Sequence, residues 1–172
     1  GILFFVPFIT FWLLGRLSRG LFKHLLMLLV LGSCQGLLGW FMVQSGLVDR
    51  PDVSQYRLTA HLGLAVAIYG YFIWLILRLR SPGSESKADT SFWPYSLIAL
   101  VYLMILSGGF VAGTDAGHAY PTWPLMGERF FPPQLYVSGI PAAFEQVTTI
   151  HFNHRMLAYF TVVTLIACAG TV

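Results

Sequence analysis

Charge is scarce in this chain. Of its 172 residues, 10% are Asp, Glu, Lys or Arg and 56% are hydrophobic, whereas a water-soluble globule carries about a quarter charged residues. A soluble globular protein is thereby excluded, and the solvent is a lipid bilayer. Cysteine is nearly absent as well. Cys34 and Cys168 both fall inside apolar segments, which excludes a disulfide framework in the loops and makes each a small buried hydrophobe. A net charge of +3 would point to nucleic acid if it were concentrated, but the 10 Lys and Arg residues sit in short clusters between apolar runs. That is the pattern of membrane-flanking loops, and no nucleic-acid partner is expected. The opening residues 2–15 (ILFFVPFITFWLLG) lack a charged leader and a small-residue cleavage site, so they read as a helix that the chain enters part-way and not as a signal peptide. They are also shorter than the roughly 20 residues that a span requires.

What is present is a series of long apolar runs. Residues 25–43 form a second segment in which Gly32, Ser33, Gly36 and Gly39 recur at helical spacing, a small-residue face suited to close helix packing. His61 opens a third segment that ends at Arg78 and Arg80, a fourth runs from about Phe92 to Ala112, and a fifth from Phe152 to Val172. The expected fold class is therefore all-α, a polytopic transmembrane helical bundle with five segments. The hydrophilic stretch 81–91 (SPGSESKADTS) divides it into two parts, 1–90 and 91–172.

Basic residues set the orientation. Arg16, Arg19, Lys23, Arg78, Arg80 and Lys87 lie in loops on one side, against Arg50, Arg57, Arg129 and Arg155 on the other, so the first side faces the cytoplasm or a mitochondrial matrix. His61, His151 and His154 then share the outer side with the long polar loop TDAGHAYPTWPLMGERFFPPQ. Ionisable residues at the edge of a bundle usually face an interior site, and haem iron in such bundles is commonly held by histidines from facing helices. The plain alternative is a hydrated helix-start histidine, and His24 and His118 are read as solvated. His154 is followed by Arg155, a cation that could meet a haem propionate. His151 and His154, at i and i+3, occupy one helix face, so at most one of them should be axial to a given iron. His151 is left for polar, proton or hydrogen-bonding work beside the metal. A zinc site is disfavoured because HxxH lacks the carboxylate and third ligand of zinc motifs.

Four stretches together carry a resemblance to the haem A synthase family, in its proteobacterial and mitochondrial branch. They are QGLLGWFMVQSGL (Gln35 to Leu47), YRLTAHL (Tyr56 to Leu62), GGFVAGTDAGHAYPTWPLMG (Gly108 to Gly127) and FNHRMLAY (Phe152 to Tyr159). The absence of loop cysteines also resembles this branch. The resemblance implies eight transmembrane helices in two similar four-helix halves, of which this chain covers most of helix two through helix six. It implies haem b in the C-terminal half, with His154 as a ligand, and haem O as substrate in the N-terminal half, with His61 as a ligand. The partner histidines are then expected before residue 1 and beyond residue 172. The family's glutamate near its first ligand histidine is not in this chain, and His151 stands where the family usually has glutamine, so no catalytic residue is assigned.

The activity this implies is oxidation of the C8 methyl group of haem O to the formyl group of haem A, for cytochrome oxidase assembly. The implied partners are membrane lipid, haem O synthase as a source of haem O, and the oxidase assembly machinery. The implied location is the bacterial inner membrane or, alternatively, the mitochondrial one. Two other readings use the same histidines: a di-haem cytochrome b electron carrier, and a non-catalytic assembly protein that only holds haem.

Overall fold

The computed structural model describes residues 1–44, 53–81 and 92–170. Among these residues the regular secondary structure is all helical apart from an isolated bridge between Met126 and Arg129, and residues 119–141 form turns and loop. The helices are α1 (Ile2–Leu13), α2 (Arg19–Gln44), α3 (Gln55–Arg80), α4 (Trp93–Gly113), the short α5 (Ala142–Glu145) and α6 (Val147–Ala169). Four of them, α2, α3, α4 and α6, are long and apolar enough to cross a membrane. The first expected segment forms α1, but at 12 residues it is too short to count among these. The hydrophilic stretch proposed as a divide, and the connector residues Asp49, Arg50 and Asp52, lie outside the described residues apart from Ser81.

The long helices pack as a chain of neighbours, α2 on α3, α3 on α4, and α4 on α6. In a bilayer the hydrophobic effect gives helices little reason to associate, so close backbone approach and interhelical hydrogen bonds must do it. The closest approach is between α3 and α4. A Cβ on Gly113 would stand 2.6 Å from Gln55 Cα, and one on Gly109 would stand 2.7 Å from Thr59 Oγ1 and 3.1 Å from Thr59 Cα. These glycines, four apart, form a small-xxx-small seam. Further along, Tyr102 Oη donates to the Gly63 carbonyl at 3.1 Å.

The small-residue face expected on α2 is used differently. Gly32 and Gly36 have open space where a Cβ would be, and only Gly39 meets another helix. Gly32 and Ser33 instead border an apolar cleft of about 330 Å³ with Phe4, Leu28, Ile68 and Phe72. The expectation for the cysteines is likewise corrected for Cys34, which is exposed, beside Leu37, Trp40 and Phe41 on the outer face of α2, while Cys168 is half-buried. An apolar segment buries a residue in lipid without burying it in protein, and Trp40 (64% exposed) and Leu37 (65%) illustrate the same distinction.

Helix starts depart most from expectation. The basic stretch 16–24 is largely helical, because Ser18 Oγ accepts the Leu21 N–H at 3.3 Å and starts α2 there. His24 is consequently not solvated: its Nδ1 lies 2.7 Å from Tyr71 Oη, and Arg78 Nη1 faces its Nε2 at 3.4 Å, fastening α2 to α3 at the basic end. At the other end α3 begins at Gln55 and α6 at Val147, so His61 and His154 sit roughly two turns inside their helices. Polar residues in QYRLTA and VTTI hid these turns, since the apolar runs begin only afterwards. Arg57, on the first turn of α3, closes the end of α2. Its guanidinium carbon is 3.7 Å from the Phe41 ring centroid, and its Nη1 donates to the Phe41 carbonyl at 2.8 Å.

Candidate functional site

Two histidines occupy matching places. In the first helix pair, His61 of α3 lies against Gly39 of α2, where a Cβ would come within 2.9 Å of the imidazole Cε1. In the second, His154 of α6 lies against Gly108 of α4, where a Cβ would stand 3.5 Å from Cε1. The first ring needs its glycine, whereas a Cβ at Gly108 would be in ordinary van der Waals contact with the second. Each ring is also hydrogen-bonded to a side chain of the helix that bears its glycine: His61 accepts from an amide, and His154 Nδ1 donates to Ser107, whose own hydroxyl proton goes to the Met104 carbonyl. Gln35 Nε2 is 3.3 Å from His61 Nε2, and Ser107 Oγ is 2.7 Å from His154 Nδ1.

The two rings differ in which nitrogen is engaged. Ser107 holds Nδ1 of His154, and Nε2 has no hydrogen-bond partner among the described residues. Orienting an imidazole through one nitrogen while the other stays open is what an axial ligand requires, so His154 fits a haem iron as it stands. At His61 it is Nε2 that meets Gln35, and Nδ1 is buried without a partner, as is Gln35 Oε1. A buried polar atom left unpaired costs about 1–3 kcal/mol and points to a missing partner. His61 therefore fits a ligand role once its contact with Gln35 is broken.

His151 diverges from His154 although both belong to one face of α6. Its Nε2 accepts from Arg155 Nε at 2.9 Å, its ring centroid lies 6.0 Å from that of Tyr120, and it is 94% buried, with only 6% exposed. It faces the outer segment 114–141, whereas His154 faces α4. Among the described residues no group of three or more His, Cys, Asp and Glu could hold a metal ion. His118 is exposed at the end of a short 3-10 turn over Ala116–His118.

Arg155 is committed to the same outer segment. Its Nη1 donates to the carbonyls of Thr122 (2.8 Å) and Leu125 (3.2 Å), and its Nη2 donates to that of Tyr120 (2.7 Å). With Nε on His151, one of the five guanidinium N–H groups remains. A propionate contact of the kind expected for Arg155 would have to use that one. The segment is fastened further along by Tyr136, whose backbone N–H donates to Thr149 Oγ1 at 3.2 Å and whose Oη donates to Asn153 Oδ1 at 3.0 Å. Gln146 Nε2 closes on the Gln134 carbonyl. Replacing Arg155 by lysine should loosen residues 114–141, because an ammonium on a flexible stem cannot satisfy three carbonyls and an imidazole in one plane. Amide hydrogen exchange should rise there by at least tenfold and stay unchanged in α2 and α3; unchanged exchange in 114–141 would contradict the fastening role.

Gln35 and Ser107 went unnoticed as partners of the histidines when the sequence was read. The available signal was an amide in the middle of an apolar helix, which is costly and usually faces another polar group. Ser107 gave less, since a serine in such a helix can return its hydroxyl to its own backbone, and Ser107 Oγ does lie 2.8 Å from the Met104 carbonyl.

The fold and site define a class: a multi-pass helical membrane protein in which two neighbouring helix pairs each present a histidine lying against a glycine. The chain belongs to the COX15-CtaA family of cytochrome oxidase assembly proteins, which matches residues 1–172. It is 46% identical over 166 residues to the Heme A synthase of Nitrosospira multiformis, covering 92% of this chain and 47% of that protein. To the Heme A synthase of Paramagnetospirillum magneticum it is 44% identical over 170 residues (95% and 48%), and to that of Maricaulis maris 43% over 176 residues (100% and 51%). The chain spans about half the length of these relatives. No solved structure matches it significantly.

Proposed function

We propose that this chain is the central part of a haem A synthase, with haem b carried at His154 and haem O presented at His61. The observation that carries this reading is the repeated arrangement of a histidine lying against a glycine and hydrogen-bonded to a side chain of the glycine-bearing helix, in a chain whose relatives are named Heme A synthase. The second axial ligands and the two remaining parts of the bundle would come from the rest of the polypeptide.

On this reading the C8 methyl group of haem O would be oxidised in two two-electron steps, each replacing a C–H bond by C–OH with oxygen from water and electrons and protons passed to an external acceptor, or with oxygen from dioxygen and an external electron donor. The geminal diol then loses water to give the aldehyde. A bound haem b supplies electron transfer. The protein's own contribution is positional. Ser107 fixes the tautomer and direction of His154, Gly39 lets the His61 ring lie close to α2, and Arg155 holds the outer segment over the start of α6. Haem O would arrive from a haem O synthase within the same membrane, the bacterial inner membrane or its mitochondrial counterpart, and the product would pass to cytochrome oxidase assembly.

Haem extracted from membranes expressing the full-length protein tests the reading. Haem A, or the C8 alcohol, is the expected product. Haem b alone, with haem O supplied, would replace this function with that of a di-haem electron carrier or a haem-holding assembly protein.

A further inference from the structure

We propose that Gln35 is a displaceable partner of His61: its amide occupies the imidazole nitrogen in the porphyrin-free protein and gives way when the substrate iron arrives, which makes ligation at His61 reversible. This rests on the reading of His61 as a haem O ligand and adds to it a residue that sets how long the substrate stays.

The orientation of the Gln35 amide follows from its surroundings. Its nitrogen lies 3.0 Å from the His61 carbonyl oxygen as well as 3.3 Å from His61 Nε2. A carbonyl oxygen can only accept, so the amide NH2 must face it, and the same NH2 then donates to the ring. His61 Nε2 is thereby the acceptor, and the proton sits on Nδ1, which is buried and unpaired. The ring cannot evade Gln35 by moving toward α2, because the Cε1 edge is already against Gly39, with a notional Cβ at 2.9 Å. Coordination through Nε2 requires the ring to turn away from α2 or the amide to withdraw.

The contact is also built to break. At 3.3 Å the ring hydrogen bond is long for N–H···N. It also stands beside two buried polar atoms without partners, Gln35 Oε1 and His61 Nδ1, so the amide and ring are not locked in place by further hydrogen bonds at those atoms. At His154 the logic is reversed: Nδ1 donates to Ser107 Oγ at 2.7 Å and Nε2 is left open as an acceptor, so ligation there displaces nothing. One site is preset for a group that stays, and the other charges its ligand the cost of removing an amide. A substrate that must leave as product needs the second kind.

The test uses the full-length protein with haem b already in place, titrated with ferric protoporphyrin IX as the probe and followed by the optical spectrum. Transfer of the probe to excess apomyoglobin gives its release rate. Gln35→Met keeps the length of the side chain and removes the donor. It should tighten probe binding roughly threefold to tenfold, the range of one net hydrogen bond, and slow release correspondingly. His61→Ala should abolish the gain in the double variant. An intact haem b spectrum certifies the fold. If methionine is not tolerated, Gln35→Glu, which has no donor when ionised, provides the same comparison. Binding that depends on His61 but is unchanged or weakened in both Gln35 variants would overturn the displaceable role while leaving His61 as ligand. Binding indifferent to His61 in every background would overturn the ligand reading, and this inference with it.

Discussion

Alanine in place of His154 should remove the low-spin haem b signal from the reduced-minus-oxidised spectrum of the full-length protein. The expectation follows from how this ring is held. Ser107 Oγ engages Nδ1 at 2.7 Å, Gly108 lies beneath Cε1, and Nε2 is left open, so the site's directional features converge on one nitrogen. Alanine removes that nitrogen, and a haem held there would lose the ligand that His154 would supply. The alternatives nearby do not substitute. His151 has its Nε2 turned to Arg155 and faces the outer segment, so it cannot take over without releasing Arg155. His151→Ala should accordingly leave the spectrum close to that of the parent, and Ser107→Ala, which loosens the ring without removing it, should weaken haem retention by about 10- to 100-fold, the usual reach of a residue that orients a ligand. An unaltered haem b spectrum in His154→Ala would remove the basis for placing the cofactor in this helix pair.

The parts of the molecule that the sequence made legible are those set by comparison with the bilayer. Apolar runs such as LLMLLVLGSCQGLLGWFMV and SLIALVYLMILSGGFVAG can only be spans, and α4 follows its run closely while α2 ends with its run but begins earlier, at Arg19. Where polar residues continue a helix beyond its apolar run, the run stops being a guide. Gln55 to Ala60 and Val147 to Ile150 contain no breaker, yet no hydrophobic signal marks them as helix, and His61 and His154 therefore seemed to stand at helix ends. The histidines themselves stood out because an ionisable side chain is costly near hydrocarbon. Their partners did not, because the contact of Gln35 with His61 and that of Ser107 with His154 each cross from one helix to another. Spacing within a segment records which face a residue occupies, and which residue meets it across the interface depends on the register of two helices. Arg155 shows the same limit in another form: beside His154 in sequence it read as a partner for a propionate, whereas its guanidinium is largely spent on carbonyls more than thirty residues upstream, or nearly so, at Tyr120, Thr122 and Leu125.

His61→Ala should produce the opposite phenotype to His154→Ala: haem b retained with its normal spectrum, and no haem A formed from haem O. The two histidines belong to separate helix pairs, α2 with α3 and α4 with α6, joined through the α3–α4 seam at Gly109 and Gly113. Removing the His61 imidazole takes away one of the two partners of the Gln35 amide, leaving its bond to the residue 61 carbonyl, and opens space beside Gly39, a change confined to the α2–α3 interface. It touches neither Ser107 nor Gly108, so the His154 ring keeps both its hydrogen bond and its place beside α4. Haem O would lose the group that fixes its distance and tilt. Because positioning of reacting groups can supply about 7–11 kcal/mol of a barrier, even partial misplacement of the methyl group should reduce conversion by several orders of magnitude. The assay is haem extraction from membranes supplied with haem O, paired with the optical spectrum of the purified protein. Accumulated haem O with an intact haem b signal is the expected pair. Loss of haem b together with haem A would show that the cofactor depends on the first helix pair, and normal haem A would show that His61 serves α2–α3 packing alone.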